Sequence, residues 1–429
     1  MTTLRIDPDR HRQLSSKLTP PPSKSHTLRA LVFALMGSGL SHIENFLSSP
    51  DTEAMIRAIE LLGARVERTP KMLKVRGTGG RLAAPENIID AGNSGQVLRF
   101  IGALAALIPS YAVFTGDDSV RSRRPVAPLL SALRQLGVTA HPMGANGHAP
   151  FIIKGPMQPG SAFFCGRDSQ PVSAMLIATA FLPSPSRLII EEPGELPWIG
   201  LTLQWLQKLG GAVTHRNFME YEVAGGLQYS DFAVSIPGDF SSAAYPIAAA
   251  LLHQRDALFD GLDRQDAQGD KQIIELLQTM GGNLNWEDSQ LNVQKTASLD
   301  GAFVDVDPII DALPILATVG CYADGATHLL RASSARHKES DRLSAMTREL
   351  SKMGAHIEEH PSSLVLYQTS LRGADLDSHG DHRVAMALAV AAFGAKGPSQ
   401  IANCGCIAKS YPSFVDDMQA MGFCVEVVP

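Results

Sequence analysis

The sequence predicts a mixed α/β protein (α/β, or α+β, in class) made of six copies of one unit, grouped as two sets of three. Three observations lead there. Six times a helical pattern ends in a large apolar residue and a glycine and then turns strand-like: Leu62-Gly63, Leu136-Gly137, Leu209-Gly210, Met280-Gly281, Met353-Gly354 and Met421-Gly422. These glycines stand 74, 73, 71, 73 and 68 residues apart, and self-similarity at a near-fixed period marks a supersecondary unit that has been copied. Finally, 429 residues exceed one ordinary domain, and six copies divide most naturally into two domains of three.

Within each copy the glycine-terminated helix is amphipathic. In the fifth, Leu343, Met346, Leu350 and Met353 fall on one stripe at helical spacing, the signature of a half-exposed helix. A glycine at its end suits a left-handed C-cap, and a strand pattern follows, as in 355–359 or 423–427. The second helix of each copy is rich in alanine and apolar round most of its circumference: 29–35, 98–107, 172–178, 243–250, 312–317 and 384–390. Such a helix is buried.

Composition narrows the function. Apolar content of 45% and charged content of 19% are globular values, far from those of disordered chains. A net charge of −6 argues against general nucleic-acid binding while leaving room for a local basic pocket. The five cysteines are odd in number and without repeated spacing, which suits free thiols in a reducing compartment. Cys404-Gly-Cys406 is not a CxxC pair, so no metal site is expected. The N-terminal stretch alternates Arg, Asp and His without an apolar h-region, so no signal peptide is expected. The longest uncharged apolar run, 100–114, holds Pro109 and spans 15 residues, short of the roughly 20 a membrane span needs. The expectation is a cytoplasmic monomer that binds neither nucleic acid nor membrane.

What precedes the buried helices points to chemistry. The entries are Lys24-Ser25, Asn93-Ser94-Gly95, Asp168-Ser169-Gln170, 239–242, Asp311 and Asp381-His382-Arg383. Ser, Asp and Asn are ordinary N-caps. Capping does not account for Gln170, nor for Lys24, Arg29 and Arg383, since cations are disfavoured at helix N-termini. Free N–H groups at several helix starts, with Lys and Arg added, would form a strong anion site. A polyanionic small molecule is the expected ligand.

Pro22-Ser-Lys24-Ser25-His-Thr-Leu-Arg29 sets two cations within about a turn of one helix start, although a solvated basic turn would read the same way. In 90–99 small residues open a helix, and Gly95 would let a ligand approach the backbone. The loop 116–125 carries Arg121, Arg123 and Arg124, and arginine pairs naturally with phosphate and carboxylate, or is simply solvated. The sharpest motif is Arg336-His-Lys338-Glu339-Ser-Asp-Arg342, with Glu339 and Arg342 continuing the apolar stripe of the helix that follows. Lys409 precedes the last amphipathic helix. Val75-Arg-Gly-Thr-Gly-Gly80 lacks the Lys-Ser/Thr ending of a phosphate loop and reads as a hairpin turn.

Taken in order, the KSxxxR, GNSG, arginine loop with RP, SQ, PxxDA, KExDRL, DHR and AK motifs closely resemble the 5-enolpyruvylshikimate-3-phosphate synthase family of enolpyruvyl transferases, from about Pro20 to Pro412. The resemblance implies a two-domain inside-out α/β barrel of six βαβαββ repeats. One domain would be 22–238 and the other 1–21 with 239–429, hinged near 20–22 and 237–240, with the active site in the interdomain cleft. It implies transfer of the enolpyruvyl group of phosphoenolpyruvate to the 5-hydroxyl of shikimate 3-phosphate, with release of phosphate and no cofactor. Carried over residue by residue, Lys24, Gly95, Arg342, Arg383 and Lys409 would surround phosphoenolpyruvate, with Arg121 and Arg124 as rivals for a further contact. Ser25, Arg29, Ser169, Gln170 and Lys338 would hold shikimate 3-phosphate, Lys24 and Asp311 beside them, with Gln170 between the two ligands. Asp311 would be the base for the hydroxyl, and Glu339 and Lys24 the candidates for the proton at C3. Unsubstituted Gly95 implies inhibition by glyphosate, a phosphonate mimic of phosphoenolpyruvate.

The chain departs from the family pattern at several points. Asp168 stands where serine is usual, an aspartate that would repel a bound phosphate unless it caps the helix outward. Gln96 and Val97 replace a small pair, Ser334 an asparagine and Trp198 a tyrosine. The sister family acting on UDP-N-acetylglucosamine resembles the same fold, but it carries a cysteine before its RP motif and asparagine after its N-terminal lysine. Neither is present here. A third reading is an anion-binding repeat protein without catalysis.

Overall fold

The computed structural model describes residues 2–8 and 17–428; the remainder of the N-terminal Arg/Asp/His stretch lies outside the described residues. Two compact units form, one from Pro22–Ile236 and the other from Met1–Pro21 with Pro237–Pro429. Among the described residues, no helix is long and apolar enough to cross a membrane.

All six glycines expected at helix ends have positive φ, from 82° at Gly137 to 103° at Gly63. Each closes the same pair of bonds. In the first copy the Gly63 amide donates to the Glu60 carbonyl at 3.0 Å and that of Ala64 to Ile59 at 3.0 Å. In the last, Gly422 donates to Gln419 at 2.9 Å and Phe423 to Met418 at 3.0 Å. This is the Schellman ending, which satisfies two helix-end carbonyls and requires a left-handed residue at the glycine position. The period in the sequence is therefore the period of a backbone device.

The half-exposed helices so ended are Pro50–Leu61, Ala127–Gln135, Leu196–Lys208, Gln272–Thr279, Arg342–Lys352 and Phe414–Ala420. The buried ones are Lys24–Met36, Gly95–Ala105 and Ser169–Ala180 in one unit, and Phe240–Leu252, Leu313–Tyr322 and His382–Ala392 in the other. In each unit the buried helices pack on one another and the sheets lie outside them. In the unit completed by the C-terminal half, one contiguous core runs from Leu4 to Val425.

Each copy supplies one four-stranded sheet, and all six sheets share a pattern. An edge strand runs parallel to its neighbour, followed by two antiparallel strands. Ser161–Cys165, for instance, pairs parallel with Ser186–Glu191, which pairs antiparallel with Glu220–Val223, itself antiparallel to Val213–Arg216. The strands alternate buried and exposed side chains, as in Ser161–Cys165, so one face covers the helices and the other meets solvent.

Three sheets borrow a strand from far along the chain. Thr3–Ile6 lies between Ser399–Ala402 and Val425–Val428, Lys17–Leu18 pairs with Ala257–Phe259, and Ala233–Ser235 pairs with Leu40–Glu44.

Two local expectations need correction. Gly77–Gly80 is not the hairpin turn: the hairpin joins Arg65–Arg68 to Met72–Arg76. The glycine run instead docks on the end of the first buried helix, Thr78 donating to Leu35 at 2.8 Å and Gly79 to Gly37 at 2.8 Å. Glu339 does not extend the apolar stripe along a helix, because Asp341 caps the helix and Arg342 is its first residue.

Candidate active site

Five of the buried helices start on a side-chain cap. Ser23, Ser94, Asp168, Asp239 and Asp381 accept from His26, Val97, Gln170, Ser242 and Arg383 amides respectively. Capping thus accounts for the Ser and Asp residues. The sixth helix starts differently: Asp311 sits in a 3₁₀ turn, Asp307–Ala312, that leads into Leu313–Tyr322. The remaining polar residues around these starts fall into two clusters, one in each unit.

In the Pro22–Ile236 unit, Lys24 Nζ lies 3.5 Å from Asp51 Oδ2, on the first turn of the neighbouring helix. Arg29 is fully buried and donates to Thr202 Oγ1 at 2.9 Å, to the Trp198 carbonyl at 3.0 Å and to the Ser25 carbonyl at 3.2 Å. It also lies over the Phe100 ring, 5.2 Å from its centre. Its partners are neutral, and burial alone pulls its pKa down to about 9. A buried cation without a carboxylate partner is costly.

The second and third helix starts meet at Gly95. A β-carbon placed there would lie 2.7 Å from Arg99 Nη1, 2.8 Å from Gln170 Oε1 and 3.4 Å from Arg124 Nη1. Of the two rival arginines, Arg124 is therefore the one buried beside Gly95. Arg121 is exposed and donates to the Gly116 carbonyl at 2.7 Å. Ser169 Oγ donates to Glu195 Oε2 at 2.9 Å. Asp168 faces Arg99, its Oδ2 lying 3.0 Å from Nη2.

In the other unit, Arg342 is the hub. It is 1% exposed and reaches three carboxylates: Nε to Asp381 Oδ2 at 2.9 Å, Nη1 to Asp311 Oδ1 at 2.8 Å and Nη2 to Glu339 Oε2 at 2.9 Å. Arg383 Nη2 donates to the other oxygen of Asp311 at 2.8 Å. Lys409 Nζ donates to Glu339 Oε1 at 2.7 Å, and Ser340 Oγ to Asp381 Oδ2 at 3.1 Å. Lys338 is buried and acts electrostatically on Asp311.

Burial pushes the Asp311 carboxyl up, but Arg383, Arg342 and Lys338 outweigh it and hold the group well below the usual carboxylate range. Buried Asp270 behaves in the opposite way. It accepts a hydrogen bond from Ser241 Oγ, and burial, with repulsion from Asp311, pushes it up to about 7. Neighbouring carboxylates with pKa values driven apart are a frequent feature of sites that move protons.

Of the residues singled out in the sequence, Asp311, Lys338, Glu339, Arg342, Arg383 and Lys409 lie in one unit, and Lys24, Ser25, Arg29, Gly95, Ser169 and Gln170 in the other; the sequence expectation put Lys24 and Gly95 with Arg342, Arg383 and Lys409, and Lys338 with Ser25, Arg29, Ser169 and Gln170. It did not assign Asp381, Asp270, Arg99 or Glu195. Asp381 had a readable signal, standing next to His382-Arg383 at a helix start. Glu195 had none, being set by a left-handed backbone at φ 51° just before its helix.

This fold is shared with solved enolpyruvyl transferases. The structure of the enolpyruvyl transferase NikO from Streptomyces tendae superposes with a TM-score of 0.80 over 100% of this chain and 99% of that one, at 17% identity, a likeness of fold. More narrowly, the family model for EPSP synthase (3-phosphoshikimate 1-carboxyvinyltransferase) matches residues 8–418, and the chain belongs to this family. The 3-phosphoshikimate 1-carboxyvinyltransferase of Chlamydia felis is 40% identical over 98% of this chain and 94% of its own. That of Acetivibrio thermocellus is 38% identical over 96% and 97%. An EPSP synthase structure from Acinetobacter baumannii matches over the whole of both chains with a TM-score of 0.84 and 25% identity.

Proposed function

We propose that this protein transfers the enolpyruvyl group of phosphoenolpyruvate to the 5-hydroxyl of shikimate 3-phosphate, releasing phosphate, as a cytoplasmic monomer. The observation that carries the reading is the Arg342 hub, which ties Asp311, Glu339 and Asp381 to one buried guanidinium. Its cations are neutralised by the carboxylates of the same cluster. A phosphate and a carboxylate arriving at Arg342, Arg383 and Lys409 would draw these cations away from Asp311 and Glu339. Asp311, which Arg383 and Arg342 among them hold well below the usual carboxylate range, would then become more basic, since opposite charge nearby is what lowers a carboxyl pKa.

The reaction needs that change. Asp311 takes the proton of the 5-hydroxyl as its oxygen attacks C2 of phosphoenolpyruvate. C3 gains a proton, for which Glu339 and Lys24 are the two donors. Loss of phosphate from C2 and of a proton from C3 then restores the double bond. Lys24, Gly95, Arg124, Gln170, Arg342, Arg383 and Lys409 are assigned to phosphoenolpyruvate, and Ser25, Arg29, Ser169, Lys338 and again Gln170, which lies between the two ligands, to shikimate 3-phosphate. Arg29, buried without a carboxylate partner, suits the carboxylate of the shikimate ring. Arg121 is left out, being exposed on the loop.

Phosphate release from phosphoenolpyruvate, measured with shikimate 3-phosphate as acceptor, tests the reading. Release that depends on this acceptor is expected. No release, or release only with UDP-N-acetylglucosamine, would overturn it.

A further inference from the structure

We propose that Asp168 is a specificity-determining residue: by neutralising Arg99 it limits how strongly the Gly95 end of the site attracts any anion, and so leaves the choice of anion to shape. This rests on the assignment of Gly95, Arg124 and Gln170 to phosphoenolpyruvate.

Arg99 is 1% exposed, and both of its Nη atoms are held. Nη2 lies 3.0 Å from Asp168 Oδ2 and donates to the Pro125 carbonyl at 3.0 Å. Nη1 donates to Gln170 Oε1 at 2.9 Å and to the Gly95 carbonyl at 3.4 Å. Asp168 also accepts from the Gln170 amide at 2.9 Å with its other oxygen. One carboxylate therefore holds Gln170 twice, through its backbone and through Arg99. The side chain caps its helix with one oxygen and meets the buried Arg99 guanidinium with the other, so its charge is paired with a cation.

The bare α-carbon of Gly95 looks onto the Arg99 guanidinium, the Gln170 carboxamide and the Arg124 guanidinium. Two buried guanidinium groups repel, and Arg124 indeed works against the charge on Arg99 while Asp168 and Glu195 support it. An incoming anion and Asp168 thus serve the same positive charge. Coulomb attraction does not distinguish phosphoenolpyruvate from inorganic phosphate, the reaction's own product, whereas close contacts at Gly95 and Gln170 do. Asp168 lowers the indiscriminate part.

The test uses inorganic phosphate as the probe on the full chain. Asp168→Asn keeps the helix cap and removes the charge. Calorimetry should show phosphate binding about three- to tenfold tighter than in the parent, the effect of one screened unit charge within a cluster. The ratio of the phosphate inhibition constant to the KM for phosphoenolpyruvate should fall. Asp168→Glu should restore the parent affinity, and in an Arg99→Gln background Asp168→Asn should have no effect on phosphate binding. Asp168→Ser, also a good cap, provides the same measurement if the asparagine variant fails to fold.

Unchanged or weaker phosphate binding in a folded variant would overturn the proposal. A parent enzyme that binds phosphate but transfers no enolpyruvyl group would instead sink the transferase reading, and the calorimetry would still decide the role of Asp168.

Discussion

Replacing Arg342 by methionine removes the one group that touches three carboxylates. Asp311 would keep Arg383, Glu339 would keep Lys409, and Asp381 would keep the Ser340 hydroxyl and the Arg383 amide. None would be orphaned, yet each would lose a bond of 2.8–2.9 Å to a buried cation. Breaking a buried ion pair by deleting one partner costs about 3–5 kcal/mol. In a domain of this size, that lowers the melting temperature by roughly 6–20 °C. Asp311 gives the sign of the pH dependence. Its folded pKa lies below the unfolded one, so its contribution is present above the unfolded value, near pH 4, and is lost as pH falls through the folded value. The deficit of Arg342→Met should therefore be largest at neutral pH and shrink below about pH 4. Arg342→Lys should recover only part of it, because one ammonium does not fork to three carboxylates. Of the tryptophans, Trp286 alone lies in the unit with Arg342. Its fluorescence in a Trp198→Phe, Trp205→Phe background during urea unfolding reports that unit. A loss under about 1 kcal/mol at pH 7, the scale of a surface pair, would refute the reading of Arg342 as a buried hub.

Three further outcomes are expected. Gly95→Ala should raise the KM for phosphoenolpyruvate and weaken inhibition by its mimic glyphosate, since the new methyl would press on Arg99 Nη1 and Gln170 Oε1 at 2.7 and 2.8 Å; steady-state inhibition kinetics check this, and unchanged constants would contradict it. Glu339→Gln and Lys24→Met should each lower kcat by roughly 10²–10⁴ with the circular dichroism spectrum intact, the usual worth of a positioned proton donor; a variant retaining near-normal turnover leaves the mechanism. Asp270, with a folded pKa raised to about 7, takes up a proton on folding between about pH 4 and 7, so stability should fall as pH rises through that window. Asp270→Asn should flatten this slope and melt higher than the parent at pH 8, and a parallel pH profile would count against it.

The sequence was most legible where one residue type serves one backbone need. A glycine after an apolar residue, repeated six times, marks six left-handed helix ends, because few other residues take that conformation cheaply. Runs of alanine and branched aliphatics marked the buried helices for the same kind of reason. What stayed hidden was pairing across distance. Arg29 reaches Thr202, 173 residues away, and Asp311 reaches Arg383 across 72; no spacing rule connects them. The Glu339–Arg342 pair was visible as an i,i+3 match, but its setting was misread, since the cap at Asp341 ends the helix between them. Arg99 and Asp168 were each quoted in a motif, while their contact depends on two helix starts arriving together.

The strand Thr3–Ile6 has its partners at Ser399–Ala402 and Val425–Val428. During synthesis on a ribosome, that stretch is made long before these partners, and its hydrogen-bonding edges stay unfilled until they follow. The continuous stretch from Pro22 to Ile236 has no such delay and is free to fold while the rest is being made. A polypeptide that stops short of these partners leaves an open edge along Thr3–Ile6, where proteases find extended chain.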